Sequence, residues 1–399
     1  MRTVIHRTSV FIIVTIFGIL ISLLFLFVGN KSRGPLEKLM ISVDNGVSKF
    51  EKKLVGGSAR RKRSTALKWF DAYRNDKDLI NHPDTIFLGA YDNNAVESYE
   101  SIVTLEDSLK AKLAIIQLYT AWGSKNDQVF PVLKAQAICD LGSIPMITWE
   151  PWLNDFDREQ YPTNPAMDNV NRGGMLAIAE GKYDDYIDKW AEDAKDFHAP
   201  FFLRFGHEMN DPYRYPWAPQ YNNPEDFIAA WKHLVDRFRK RGANNVIWIW
   251  SPHPAVLTYE KYYPGDDYVD WIGVGVLNYG TVETWSRWWS FKEMFNNFYT
   301  KVSRYNKPMM ISEFGSLEVG GDRAAWFSES LDSLTYRYPK VKSVVFFNNS
   351  RDNTISYKML DWSITKDSRS LAAIRKSIAN WRTDKVSKLQ KASIPLAVK

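Results

Sequence analysis

Apolar residues fall into three successive patterns along this chain, and each predicts a different kind of element. Residues Val10 to Val28 are apolar apart from Thr15, Gly18 and Ser22. A helix of that length crosses a hydrocarbon core of about 30 Å, which predicts a membrane anchor. The run exceeds the apolar segment of a cleaved signal peptide, and no small-x-small cleavage site follows it. After Gly34-Pro35, residues Leu36, Met40, Val43, Val47, Phe50 and Leu54 recur at spacings of four and three. This is a heptad seam of under three heptads interrupted by Gly46, so the expected element is a short amphipathic stalk. Gly56-Gly57-Ser58 and Arg60-Arg61-Lys62-Arg63 then read as a linker with a basic cluster facing solvent or lipid headgroups.

From residue 84 the pattern changes to short apolar runs alternating with amphipathic stretches, the mark of βα units and a parallel sheet. Eight runs are present: 86–90, 114–119, 145–149, 201–205, 246–250, 271–276, 308–311 and 344–347. Helical stretches such as 183–197, 224–241 and 326–338 lie between them, and 371–381 supplies a closing helix. Eight units in about 300 residues predict a closed (β/α)₈ barrel, not an open doubly wound sheet. The expected organisation is an anchor at 1–30, a stalk and linker at 31–83, the barrel at 84–381 and a polar tail at 382–399. Gly89-Ala90-Tyr91-Asp92 follows the first run where a nucleotide-binding protein would carry a glycine-rich phosphate loop, so no nucleotide cofactor is expected.

Charge changes the picture in one respect. The formal net charge is +6, yet residues 1–63 hold 12 Lys+Arg against three Asp+Glu, and the rest of the chain holds 40 against 43. Positive charge therefore sits beside the apolar segment and not on the folded domain, which excludes a nucleic-acid interface and favours anionic lipid or an acidic polymer near a membrane. By the positive-inside rule the flanks do not fix an orientation, since Arg2 and Arg7 precede the span and Lys31, Arg33 and Lys38 follow it. The single Cys139 excludes an intramolecular disulfide. Sixteen Trp and 20 Tyr make a heavy aromatic load suited to stacking on sugar faces, with Trp149, Trp152, Trp217, Trp250 and Trp362 as candidates that serve equally well as barrel core.

In barrels of this kind chemistry is carried at the carboxyl ends of the strands. The fourth run ends Arg204-Phe-Gly-His207-Glu208-Met-Asn210 and the seventh ends Ser312-Glu313-Phe-Gly315. The two glutamates stand 105 residues apart, three βα units of 35, which puts them across one barrel mouth. Such a pair is what glycosidic cleavage requires: one group protonates the departing oxygen and the other attacks the anomeric carbon. Glu208 is then expected to be held protonated and Glu313 ionised. Glu150 is a third carboxylate at a strand end, placed either to bind sugar hydroxyls or to act instead of Glu208. A zinc-protease reading of His207-Glu208 fails because HExxH needs a histidine at 211, where Asp stands, and neither His233 nor His253 supplies a recognisable ligand set. No metal and no cofactor is expected.

These motifs resemble glycoside hydrolase family 26. Arg-x-x-His-Glu-Met-Asn at 204–210 is similar to that family's acid/base motif and Ile-Ser-Glu-Phe-Gly at 311–315 to its nucleophile motif, with softer likeness at Gly181 to Ile187 and at Tyr215-Pro216-Trp217. The resemblance spans roughly residues 84 to 381. It implies retaining double displacement on β-linked polysaccharide, with Glu208 as acid/base, Glu313 as nucleophile, Arg204 and His207 orienting the site, and the carboxyl groups about 5 to 5.5 Å apart. Asn210, Trp217, Trp149, Glu150, Tyr279 and Trp362 join Arg204 and His207 as expected substrate-binding residues. Thr148-Trp149-Glu150-Pro151-Trp152 is closer to the family's glucan-cleaving members than to its mannanases. Leu277 stands where the family places a tyrosine supporting the nucleophile, with Tyr279 two residues on, and the eighth run ends Phe346-Phe347-Asn348 where many members have a tryptophan.

The expected protein is a single-pass, membrane-tethered endo-β-glycanase with its barrel outside the cytoplasm, acting on glucan-type or mannan-type polymer near a polysaccharide synthase or export complex. Two alternatives remain: a carbohydrate-binding or guiding protein with little turnover, which the irregular endings of the sixth and eighth runs favour, and a transglycosylase.

Overall fold

The computed structural model describes residues 63–392 apart from 96–98, 169–170, 283–285 and 354–357, with residues 382–392 described in backbone only. The expected anchor at Val10 to Val28 and the stalk lie outside the described residues. Among the described residues no helix is long and apolar enough to cross a membrane.

All eight apolar runs form strands: β1 (Phe87–Asp92), β2 (Ile115–Ala121), β3 (Ile144–Glu150), β4 (Phe201–Phe205), β5 (Val246–Trp250), β6 (Trp271–Asn278), β7 (Met309–Ser316) and β8 (Val341–Asn348). They pair in parallel and in chain order, and β8 closes on β1, giving a barrel with no free edge. The strands read as nearly unbroken apolar runs because both faces are covered. Ile116, Leu118, Ile147, Trp149, Leu203 and Ile311 face the surrounding helices, while Phe87, Ile115, Met146, Phe202, Trp271 and Met310 fill the lower interior.

The helices carry legible boundaries. One helix, Pro224–Arg241, begins with Pro at its first turn beside Glu225 and Asp226, ends in Arg239, Lys240 and Arg241, and stops at Gly242 with φ of 82°. Proline is preset for a first helical turn, the charges complement the helix dipole, and glycine adopts the left-handed stop without Cβ strain. The closing helix, Ser368–Ala392, runs past the expected boundary at residue 381.

Residues 63–83, before the expected barrel start at residue 84, lie in the same compact unit as the barrel. Leu67, Phe70 and Ile80 pack into the lower interior and close the barrel's base. Arg63, read in the sequence as part of a basic cluster facing solvent or headgroups, is instead buried. Its Nη2 donates to Glu106 Oε1 at 2.7 Å, Leu113 O at 3.1 Å and Ser143 Oγ at 2.8 Å. A charge run alone does not distinguish its last member, which the fold removes from water and pairs.

Removing one partner of a buried pair strands the other. Arg63→Ala is therefore expected to lower unfolding free energy by about 3 to 5 kcal/mol in denaturant titration. A loss below about 1 kcal/mol would show that Arg63 does not hold the base in place.

Candidate active site

Inward-facing residues of the upper barrel turn polar: Gln117 and Tyr119 on β2, Thr148 and Glu150 on β3, Arg204 on β4 and Ser312 on β7. Period-2 alternation decides who faces in. Trp149, between Thr148 and Glu150, must face out, and it does: fully buried, its ring stacks on Trp190 at 4.4 Å and packs against Trp122 at 4.5 Å. It belongs to the barrel-to-helix core and does not line the mouth as expected of a substrate-binding residue.

Glu313 reaches the interior by breaking alternation. Ile311 pairs with Val274 of β6, but the next paired residue is Glu313, opposite Gly275, and on β8 the register likewise skips from Ile311 to Phe314. The extra residue is a β-bulge, which re-aims side chains. Ser312 and Glu313 consequently both meet Arg204, while Ile311 and Phe314 on either side face the helices.

Arg204, buried, organises this layer. Its Nε donates to Thr148 Oγ1 at 3.0 Å, its Nη1 to Ser312 Oγ at 3.1 Å, and its Nη2 to Tyr119 Oη at 3.2 Å and Glu313 Oε1 at 2.5 Å. Gln117, with its amide oxygen toward Arg204, accepts from Nη2 at 3.0 Å and donates to Ser312 O at 3.0 Å. Tyr119 Oη donates to Glu313 Oε1 at 2.6 Å. Burial alone pushes the Glu313 carboxyl up, but Arg204 and the Tyr119 hydrogen bond outweigh it and hold the group down at about 2.

Glu208 sits in a different environment. The chain leaves β4 through Gly206 at φ of 49° and Glu208 at φ of 53°. A glutamate in the left-handed region is strained and persists only where its surroundings fix it. Glu208 N donates to Ser251 O at 2.7 Å and its carbonyl accepts from Asp211 N at 2.9 Å. Its Oε2 receives no hydrogen bond, the nearest cation being Arg214 Nη1 at 3.6 Å. Burial, with repulsion from Glu313, raises its pKa against the pull of His253 and Arg214.

The two carboxylates share one space. A Cβ built on Gly275 would stand 3.5 Å from Glu208 Oε1 and 3.6 Å from Glu313 Oε2, so those two oxygens are at most about 7 Å apart. Any side chain at 275 would enter that space.

Around the pair, His207 is kept neutral by burial and by Arg204, its pKa lowered to about 3. Its Nε2 contacts Tyr215 Oη at 2.9 Å. Its Nδ1 lies 3.9 Å from Glu150 Oε1, a contact between a neutral ring and a carboxyl and not an ion pair. Glu150 accepts from Trp152 Nε1 at 3.1 Å, and burial raises it to about 7.

Several expected substrate contacts are instead supports. Trp217 is fully buried, stacks on Tyr215 at 4.6 Å and donates to His207 O at 2.8 Å. The exposed ring of that loop is Tyr213, 88 % accessible. Asn210 is buried with its amide fully engaged: Oδ1 accepts from His253 N at 2.8 Å, and Nδ2 donates to His253 O at 2.9 Å and Val256 O at 2.8 Å. It clamps the loop after β5 to the turn carrying Glu208. Trp362 is buried, donating to Asp352 Oδ2 at 2.7 Å with its ring edge-on to Tyr279 at 4.8 Å. Tyr279 Oη accepts from Arg214 Nη2 at 3.2 Å and so acts toward Glu208, not Glu313. Leu277 lies in an apolar cluster with Phe347, Tyr279 and Trp362.

Tyr119 and Arg214 were missed in the sequence. Tyr119 was findable, because Ile115, Gln117 and Tyr119 share one face and that face turns polar toward the carboxyl end. Arg214 lies in an irregular loop, where no period assigns a direction.

A family model described as glycosyl hydrolase family 26 matches residues 140–332. Endoglucanase H of Acetivibrio thermocellus is 34 % identical over 311 residues, covering 76 % of this chain and 31 % of that protein. A β-1,3-xylanase of Vibrio sp. is 27 % identical over 165 residues, 39 % of this chain and 32 % of that protein. The chain thus spans about a third of the length of these two relatives. A GH26 β-mannanase from Bacteroides ovatus has the same fold, with a TM-score of 0.55 at 18 % identity, over 76 % of this chain and 91 % of that one.

Carboxyl-resolved NMR titration tests the electrostatics. Glu313 is expected to stay ionised to below pH 4 and Glu150 to titrate near pH 7, and Arg204→Met should raise Glu313 by more than about one unit. An unmoved Glu313 would show that Arg204 does not control it.

Proposed function

We propose that the chain is a member of glycosyl hydrolase family 26, a retaining, endo-acting glycoside hydrolase cleaving β-linked polysaccharide through Glu313 as nucleophile and Glu208 as acid/base. The observation that carries this reading is the opposed electrostatics of two carboxyls facing one space. Glu313, ionised by Arg204 and Tyr119, attacks the anomeric carbon while Glu208 gives its proton to the departing glycosidic oxygen. Glu208, now a carboxylate, takes a proton from water, whose oxygen displaces Glu313 and restores both groups. The oxygen separation of at most about 7 Å admits the 5 to 5.5 Å carboxyl spacing of retaining enzymes.

The non-catalytic alternative draws on two departures, Leu277 at strand six and the Phe346-Phe347-Asn348 ending of strand eight. Tyr119 donates a hydrogen bond to Glu313 from the opposite side of the barrel, at 2.6 Å, which weakens the strand-six part of that motive. For substrate, the 34 % identity to an endoglucanase across 76 % of this chain and the Thr148-Trp149-Glu150 sequence favour a β-glucan over mannan. The apolar run Val10 to Val28 favours tethering with the barrel outside the cytoplasm, where the enzyme trims polymer beside a synthase or export complex.

Two experiments test this. On a panel of β-glucan, mannan and β-1,3-xylan, Glu313→Ala should lose hydrolysis to background. Glu208→Gln should lose about 10²- to 10⁴-fold on polymer but far less on an aryl glycoside whose leaving group needs no proton. Equal losses on both substrates would remove Glu208 from the acid role. In membrane fractionation of cells making the full chain, the protein should pellet with membranes and be degraded by protease added outside the cytoplasmic membrane. Recovery in the soluble fraction would overturn the tethering.

A further inference from the structure

We infer that Glu208, Asp211 and His253 form a binding site for a divalent transition-metal ion, and that an ion held there disables the acid/base. The disabling consequence rests on the reading of Glu208 given above; the site itself does not.

In the sequence, a metal was set aside because position 211 holds Asp where a helical zinc motif needs His. The fold supplies the imidazole from elsewhere. His253, on the loop after β5, brings a ring nitrogen within 4.8 Å of carboxylate oxygens of both Glu208 and Asp211, and those two oxygens lie within the same distance of each other. Glu208 Oε2 and His253 Nδ1 are both buried and form no hydrogen bond. Buried polar atoms without partners are costly and rare, and a metal ion is a partner that carboxylate oxygen and imidazole nitrogen both accept.

The three side chains stand on a braced frame. Asn210 grips His253 through both its backbone N and its carbonyl. The Glu208 backbone is tied forward to Asp211 and across to Ser251. One imidazole nitrogen with two carboxylate oxygens matches the ligand preference of zinc and its first-row neighbours, and falls short of the oxygen count calcium takes. Arg214 now acts as counter-cation, 3.6 Å from Glu208 Oε2 and 3.8 Å from Asp211 Oδ2, with its side chain one-third exposed. An incoming ion displaces it. Glu208 coordinated to the ion is held as a carboxylate and has no proton to give a leaving group.

Calorimetric titration of ZnCl₂ into the full chain tests this, with the visible spectrum of the Co²⁺-loaded protein as second readout. One ion is expected to bind at this site, with affinity reduced at least about tenfold in both His253→Gln and Asp211→Asn and unaltered in His233→Gln, whose ring contacts Asp184 away from the mouth. The Co²⁺ spectrum should carry imidazole ligation in the wild type and lose it in His253→Gln. No binding by the wild type, or equal affinity in all four proteins, overturns the proposal. Neither readout uses a substrate, so a failed metal titration leaves the glycosidase reading intact, and a failed polysaccharide assay leaves the metal result standing.

Discussion

Arg204 and Glu313 are both nearly inaccessible to water, and neither charge is tenable there without the other. Taking a guanidinium and a carboxylate out of water costs several kcal/mol per ion, recovered only if the geometry is good and the remaining donors are used. Here they are used: Arg204 donates to Thr148 of β3, Ser312 and Glu313 of β7, and Tyr119 of β2. One ion pair thus couples four strands across the upper barrel. A buried pair is weak evidence for stability, since apolar residues of similar volume would hold a core as well. Its retention is explained by what it does to Glu313, which stays ionised in a place where burial alone would neutralise it.

The bulge on β7 and the strained turn after β4 follow from that constraint. Regular alternation would aim Glu313 at the helices; the extra residue turns it in, beside Ser312, to meet Arg204. On the facing side Glu208 is held with positive φ by Ser251 and by the Asn210 clamp, in surroundings that favour its protonated form. Gly275 keeps the intervening space empty. Two carboxyls of one chemical type are thereby separated into an acid and an anion by environment alone, which is the condition for double displacement.

Much of this was legible in the sequence. Eight apolar runs separated by amphipathic stretches specify a closed parallel barrel, and strand-end placement with the motifs at 204–210 and 311–315 picks out both glutamates. Period-2 alternation, applied strictly, would have turned Trp149 away from the mouth, since Thr148 and Glu150 cannot share its face, and would have brought in Tyr119. What was not legible has physical reasons. The bulge at Ser312-Glu313 leaves no mark on composition. The positions of Arg214 and His253 depend on loops, where direction is set by tertiary hydrogen bonds. Trp217 and Asn210 carry residue types that bind sugars well, and the fold uses them as supports. Arg63 shows the converse: the last residue of a basic run is buried and paired in the core.

The central claim is that Arg204 keeps Glu313 as the ionised nucleophile. It is tested most directly by brief incubation with an activated 2-deoxy-2-fluoro β-glycoside of the cleaved sugar, followed by mass spectrometry of the digested protein. A single glycosyl adduct on the peptide containing Glu313, formed much more slowly in Arg204→Met, is the predicted result. An adduct on Glu150 or Glu208, or equal labelling rates in the two proteins, would contradict it.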